Sequence, residues 1–295
     1  MIARGLILAL VLLVPARAGA ELLWSRSFDS TALGESMKYS IYLPSGYRDP
    51  RRAKETFPAV YLLHGVGDNE RAWAAFGQVE ATMDRLIASG EIPPFVVVMP
   101  AGKKSWFVDS RDIGGPGDYA TAVRDDLRVH VEAAYRVTPE RHSRFVAGLS
   151  MGGYGALRLG FERPNTYRAV GAMSSALWLR VTPDWTPTRP ERLKRIFDGS
   201  FGDPFDPKRF VALHPRAYFD RVAAFDQPLG VYLMAGDDDG FGAHLSTVEL
   251  YRQLRERKIA AELRIVDGPH QWPLWRRGLA PMMQWFASVM AKDGG

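Results

Sequence analysis

The sequence predicts an open, mostly parallel α/β sheet with helices on both faces. Three observations carry that expectation: short apolar runs that read as strands buried on both sides, stretches of helical period between them, and a glycine-framed serine at a strand-to-helix junction. The chain has 295 residues, 24% of them charged and 46% hydrophobic, a balance that supports a packed core. Sheets of this kind fold as one domain at this length, so residues 21–295 are read as a single unit.

Taken in order, residues 1–20 (MIARGLILALVLLVPARAGA) have the plan of a signal peptide: Arg4, an apolar run, the helix-breaking Pro15, then Ala18-x-Ala20. The apolar run is too short to span a bilayer comfortably. Cleavage after Ala20 and a secreted or periplasmic protein are therefore expected. Downstream, the sequence offers no uninterrupted apolar stretch near the roughly 18 residues a span needs, so no integral membrane association is expected. There is no cysteine, which excludes disulfides, thiolate metal sites and a cysteine nucleophile. The formal charge is +5, and removing Arg4 and Arg17 with the leader leaves +3. Basic residues are interleaved with acids, as in RERKIAAELR, so nucleic acid is not an expected partner.

Residues 37–43 (MKYSIYL) read as a strand closed by Pro44-Ser45-Gly46. Residues 59–63 (AVYLL) and 95–99 (FVVVM) read as fully buried strands, and the helical spacing across 73–89 supplies the crossover a parallel pair requires. The alternation repeats with a helix over 119–135, a strand over 144–149, a helix over 151–162 and a strand over 169–173. A strand at 230–235, a helix from about 246 to 258, a strand over 262–266 and a final helix near 278–290 complete the series. Residues 177–227 differ, with six prolines interleaved with Trp178, Trp185, Phe201, Phe205 and Phe210. That composition suits a helical and loop excursion over one sheet edge, either covering substrate or carrying a small apolar cluster of its own.

The chemistry centres on Gly148-Leu-Ser150-Met-Gly152, set between the strand at 144–149 and the helix at 151–162. A serine on so tight a turn projects its hydroxyl from the sheet edge, and flanking glycines are needed because a Cβ there would strike neighbouring backbone. The helix that follows presents unpaired amides to developing negative charge. A serine hydroxyl also needs a base, and the base needs an orienting acid. His270, in Val266-Asp-Gly-Pro-His270-Gln-Trp272, follows the last strand and is the expected base. His214 and His244 read as packing or solvated groups, His130 and His142 as structural. The acid should end the strand at 230–235, where Asp237, Asp238 and Asp239 all stand, with a slight preference for the later two. Met151 should give one oxyanion amide, and Val66, between Gly65 and Gly67 in YLLHGVGD, the other. His64 reads as a structural group of that turn. Trp106 and Phe107, after the third strand, together with Phe241, Trp272 and Trp275, are candidate aromatics around a substrate.

These residues resemble the Putative esterase family of α/β-hydrolases, which includes esterase D (S-formylglutathione hydrolase), feruloyl and acetylxylan esterases, and the antigen 85 mycolyltransferases. The likeness runs through YSIYLPSGY, YLLHGVGD, KSWF, AGLSMGGYGAL, the G-x-x-D-x-F run at 236–241 and GPHQWPLW. It implies an α/β-hydrolase fold with nucleophile Ser150, base His270 and, as the last residue of G-x-x-D, acid Asp239. It places the oxyanion amides on Val66 and Met151. The chain has Val-Gly-Asp where esterase D members often carry a cysteine-bearing segment, and it lacks the full mycolyltransferase pattern. The expected function is a serine esterase acting through an acyl-enzyme on small-acyl or carbohydrate-linked esters of acetyl or feruloyl type, with no metal or organic cofactor. An acyltransferase using the same residues is the rival within that chemistry; a non-catalytic exported binding protein is the rival outside it.

Overall fold

The computed structural model describes residues 19–292, so the expected leader, apart from Gly19 and Ala20, lies outside the described residues. An eight-stranded sheet has the order β1-β2-β4-β3-β5-β6-β7-β8. Its antiparallel end is a hairpin of β1 (Glu21–Ser30) and β2 (Glu35–Leu43), and β2 also runs antiparallel to β4 (Val96–Pro100). The remainder is parallel: β4 to β3 (Ala59–Leu63), then β5 (Arg144–Leu149), β6 (Ala169–Met173), β7 (Gly230–Gly236) and β8 (Ala261–Val266). The sequence reading omits β1. That strand is a half-covered edge whose short apolar run, Leu22-Leu23-Trp24, gives way to exposed polar residues around Phe28, so it lacks the signature of a buried strand.

Side-chain alternation along the central strands divides the core in two. From β3, Ala59, Tyr61 and Leu63 face one layer, with Met151, Tyr154 and Leu157 of α5 (Met151–Glu162) and Leu250 and Leu254 of α9 (Ala243–Glu256). Val60 and Leu62 face the other, with Val79, Met83 and Leu86 of α2 (Val79–Ala88) and Leu274, Met282 and Phe286 of α10 (Trp272–Ala291).

Four helix boundaries differ from expectation; the simplest is α9, which begins at Ala243 rather than about 246 and ends at Glu256. The helix expected over 73–89 is two, α1 (Ala72–Ala75) and α2, separated where Gln78 adopts a left-handed φ of 52°. The helix expected over 119–135 passes from α3 (Tyr119–Thr121) through a π-helical turn at Ala122–Leu127 into α4 (Arg128–Ala134). The last helix begins at Trp272 rather than 278, because Pro273 lies in its first turn, where a missing N–H costs no hydrogen bond.

Residues 177–227 contain α6 (Pro190–Phe197), α7 (Pro207–Leu213) and α8 (Phe219–Ala223). Their aromatic rings pack on one another and on the loop after β4, with centroid distances of 4.7 Å for Trp106–Phe197, 4.9 Å for Phe197–Phe205 and 5.0 Å for Phe201–Phe210. Among the described residues no helix is long and apolar enough to cross a membrane.

Candidate active site

Ser150 occupies the single residue between β5 and α5, with φ 52° and ψ −115°. A non-glycine residue there is strained by roughly 1–3 kcal/mol and persists only where its surroundings over-determine it. They do so through the backbone. The Ser150 amide donates to the Met173 carbonyl at 2.9 Å, and its own carbonyl accepts from Tyr154 at 3.0 Å and Ala176 at 3.2 Å. The two framing glycines are required by close approach. A Cβ on Gly148 would lie 2.4 Å from the Gly152 oxygen, and one on Gly152 would lie 2.5 Å from the Leu63 oxygen. No side chain fits at either place.

The loop after β7 turns one of the three aspartates inward. Asp239 is 3% exposed, whereas Asp237 and Asp238 face solvent. His270 donates from Nδ1 to Asp239 Oδ2 at 2.6 Å, and the Phe241 amide donates to Oδ1 at 2.9 Å. Burial pushes the Asp239 carboxyl up, but the hydrogen bond and charge of His270 and the Phe241 and Ala243 amides outweigh it and hold the group below its ordinary value. Asp237 instead accepts from the Gly268 amide at 3.1 Å, tying the two loops together. With Nδ1 engaged as a donor, Nε2 of neutral His270 is left as the basic nitrogen.

His270 and Ser150 line one cavity of about 1200 Å³, together with Gly65, Val66 and Trp275. The His270 ring is bracketed by Phe241 at 4.9 Å and Trp275 at 5.0 Å, and Trp275 Nε1 donates to Ser174 Oγ at 3.1 Å. Val66 is 39% exposed on the cavity wall. Met151 buries its side chain and is the first residue of α5, where the amide has no intrahelical acceptor.

The aromatic candidates separate. Trp106 is itself only 1% exposed, but it lines the cavity wall, its Nε1 donating to the Ile196 carbonyl at 3.1 Å, and the exposed Phe241 lines it too. Phe107 does not. It is fully buried below the site, packed against His64 and filling the space a Cβ on Gly155 would need, 2.7 Å from its ring. Trp272 also stands outside the cavity, edge-on to Trp73 at 5.3 Å and beside Phe76. Trp275 takes the place expected of it, because helical side chains lean over the preceding turn, which here is the His270 loop. The cavity also draws Leu177, Trp178, Leu193 and Ile196 from the segment after β6. The sequence reading named none of these as site residues, and only the aromatic density of that segment hinted at them.

His64 is structural, as expected. The Gly102 amide donates to Nε2 at 2.8 Å, which leaves Nδ1 to donate to the Gly65 carbonyl at 2.8 Å. Burial lowers its pKa to about 4. His214 is held alike between the Arg216 amide and the Leu177 carbonyl, and burial lowers it to about 3. Both therefore fold neutral. Between pH 6.5 and about 4 the unfolded chain binds protons that the folded chain does not, so stability falls as pH falls through that window. His64 alone accounts for roughly 3 kcal/mol. Urea unfolding at pH 7 and pH 4.5 should show this loss, and a His64→Gln variant should show a shallower one.

Three exposed carboxylates, Asp237, Asp238 and Asp267, bring oxygens within 4.8 Å of one another beside this loop. Asp237 is already engaged by Gly268, and exposed acidic groups of this kind do not by themselves make a metal centre.

Together, the mostly parallel sheet, the strained serine after β5 and the histidine–carboxylate pair from the last loops define the α/β-hydrolase fold. The chain belongs to the Putative esterase family, whose model matches residues 30–286. It is 31% identical over 188 residues to an endo-1,4-beta-xylanase/feruloyl esterase of Xylanibacter ruminicola, covering 62% of this chain but only 25% of that protein. It is 24% identical to an acetyl esterase of Caldicellulosiruptor saccharolyticus over 89% of this chain and 97% of the other. A solved ferulic acid esterase superposes with a TM-score of 0.73 at 26% identity, covering 92% of this chain and 99% of that one.

Proposed function

We propose that this chain is a serine carboxylic-ester hydrolase working through an acyl-enzyme on Ser150. The observation that carries the reading is the 2.6 Å bond between His270 and Asp239, whose imidazole shares a cavity with Ser150. In the reaction, His270 Nε2 takes the hydroxyl proton as Ser150 Oγ bonds to the ester carbonyl carbon. Asp239 stabilises the imidazolium, and the Val66 and Met151 amides receive the oxyanion. Collapse breaks the carbon–oxygen bond to the alcohol, which leaves with the proton from Nε2. Water then repeats the sequence and releases the acid.

The similarity to feruloyl and acetyl esterases supports small-acyl or carbohydrate-linked acetyl or feruloyl esters as substrates. We read Trp106 and Phe241 as substrate contacts, residues 1–20 as a cleaved export signal, and 21–295 as one domain. A fluorophosphonate probe should form a covalent adduct that tandem mass spectrometry maps to Ser150, on a protein that hydrolyses 4-nitrophenyl acetate and methyl ferulate. Absence of an adduct, or one on another residue, would overturn the reading. Adding sugar acceptors to the same assay shows whether the acyl group goes to water or to a hydroxyl.

A further inference from the structure

The cavity beside Ser150 carries a charge arrangement that ester cleavage itself does not use. The wall contributed by residues 176–196 is largely apolar, yet Arg180, Arg189 and Arg192 stand on it, all exposed. Among the described residues none of the three has a carboxylate within ion-pair distance. Two neighbouring cations are engaged: Lys194 pairs with Asp203 at 2.8 Å, and Arg216 donates to the Leu179 carbonyl at 3.1 Å.

The carboxylates on the cavity wall do not answer this charge. Glu249 is held by Arg252 at 2.8 Å and Gln253 at 2.6 Å. Asp68 belongs to the reacting end, since its Oδ2 and the Ser150 Cβ each lie 3.6 Å from the point a Cβ on Gly65 would occupy. The cavity thus carries one carboxylate near Ser150 and, on the wall from 176–196, three guanidinium groups with no ion pair among the described residues. A guanidinium fork matches the oxygens of a carboxylate or sulfate. An acetyl group would leave most of the cavity's roughly 1200 Å³ unfilled.

We propose that Arg180, Arg189 and Arg192 form an anion subsite that selects esters whose apolar arm ends in a carboxylate or sulfate. The arm lies along Leu177, Trp178, Leu193 and Ile196 with the ester carbonyl at Ser150, and Asp68 repels an anion placed at the reacting end. The inference rests on the hydrolase reading above and names its substrate class.

The test compares matched esters differing only in the terminal charge. For the acyl arm these are 4-nitrophenyl hydrogen suberate and 4-nitrophenyl octanoate; for the alcohol arm, the acetates of 8-hydroxyoctanoate and of octanol. At low salt one arm should show an anionic-to-neutral ratio of kcat/KM of about ten, falling toward one at high salt and in the R180A/R189A/R192A variant. A ratio at or below one in both arms, or one that survives in the variant, would overturn the subsite. If no ester is cleaved, the hydrolase reading fails, and the subsite is judged separately by titrating decanoate against decanol with tryptophan fluorescence. Preference for decanoate that is lost in the triple variant supports it, and equal binding refutes it.

Discussion

Ser150→Ala is expected to lower kcat for ester hydrolysis by on the order of 10⁵-fold or more, because in the proposed mechanism removing the nucleophile disables every group that acts through it. The protein should remain folded. The substitution deletes one hydroxyl and adds no atom to the turn. The hydrogen bonds that hold the turn, from the Ser150 amide to Met173 and from Ala176 to the Ser150 carbonyl, are made by backbone. Initial rates with 4-nitrophenyl acetate, alongside circular dichroism and a melting curve, provide the check. A variant within tenfold of the parent would mean that another group does the chemistry.

Asp239→Asn should cost roughly 10³- to 10⁴-fold in kcat/KM while leaving the loop in place. The reason lies in the number of acceptors. Asp239 presents one oxygen to the Phe241 amide and the other to His270 Nδ1. An asparagine has a single oxygen. If that oxygen stays with Phe241, its NH₂ faces Nδ1, which must then accept, and the proton moves to Nε2, where a base is needed. If the side chain flips, NH₂ meets the Phe241 N–H and two donors oppose each other. Either arrangement removes the productive tautomer or strains the loop. Because the loss comes from the wrong tautomer, kcat/KM should recover partly at high pH, where attack can bypass His270, whereas a purely structural defect would not respond. Full activity at pH 7 would show that Asp239 does not orient the base.

Much of this site is legible in the sequence. The run from β5 through α5 is read with its correct boundaries because the determinants are local: a fully buried strand, then glycines whose missing Cβ atoms let the backbone fold back on itself. His270 follows from its place after the last strand. Among the three adjacent aspartates the residues alone do not choose; the G-x-x-D likeness points to Asp239, and the physical reason, a partner 31 residues away, appears only in the fold. The aromatic candidates mislead for a similar reason. Phe107 and Trp272 sit next to site residues in the chain, yet one is drawn beneath α5 and the other toward Trp73.

The sequence by itself determined the sheet's parallel core, the serine on its strained turn and the histidine available to serve it, because each is encoded within a few residues by sterics and periodicity. Residue chemistry left three aspartates open and only the family likeness pointed to Asp239; tertiary structure supplies the physical reason, and it alone decided which tryptophan lies over His270 and which residues of 177–196 wall the cavity. Those outcomes depend on burial and hydrogen bonding between segments far apart in the chain, such as Trp275 on Ser174 across 101 residues. No local pattern records which side chain such a contact will turn inward.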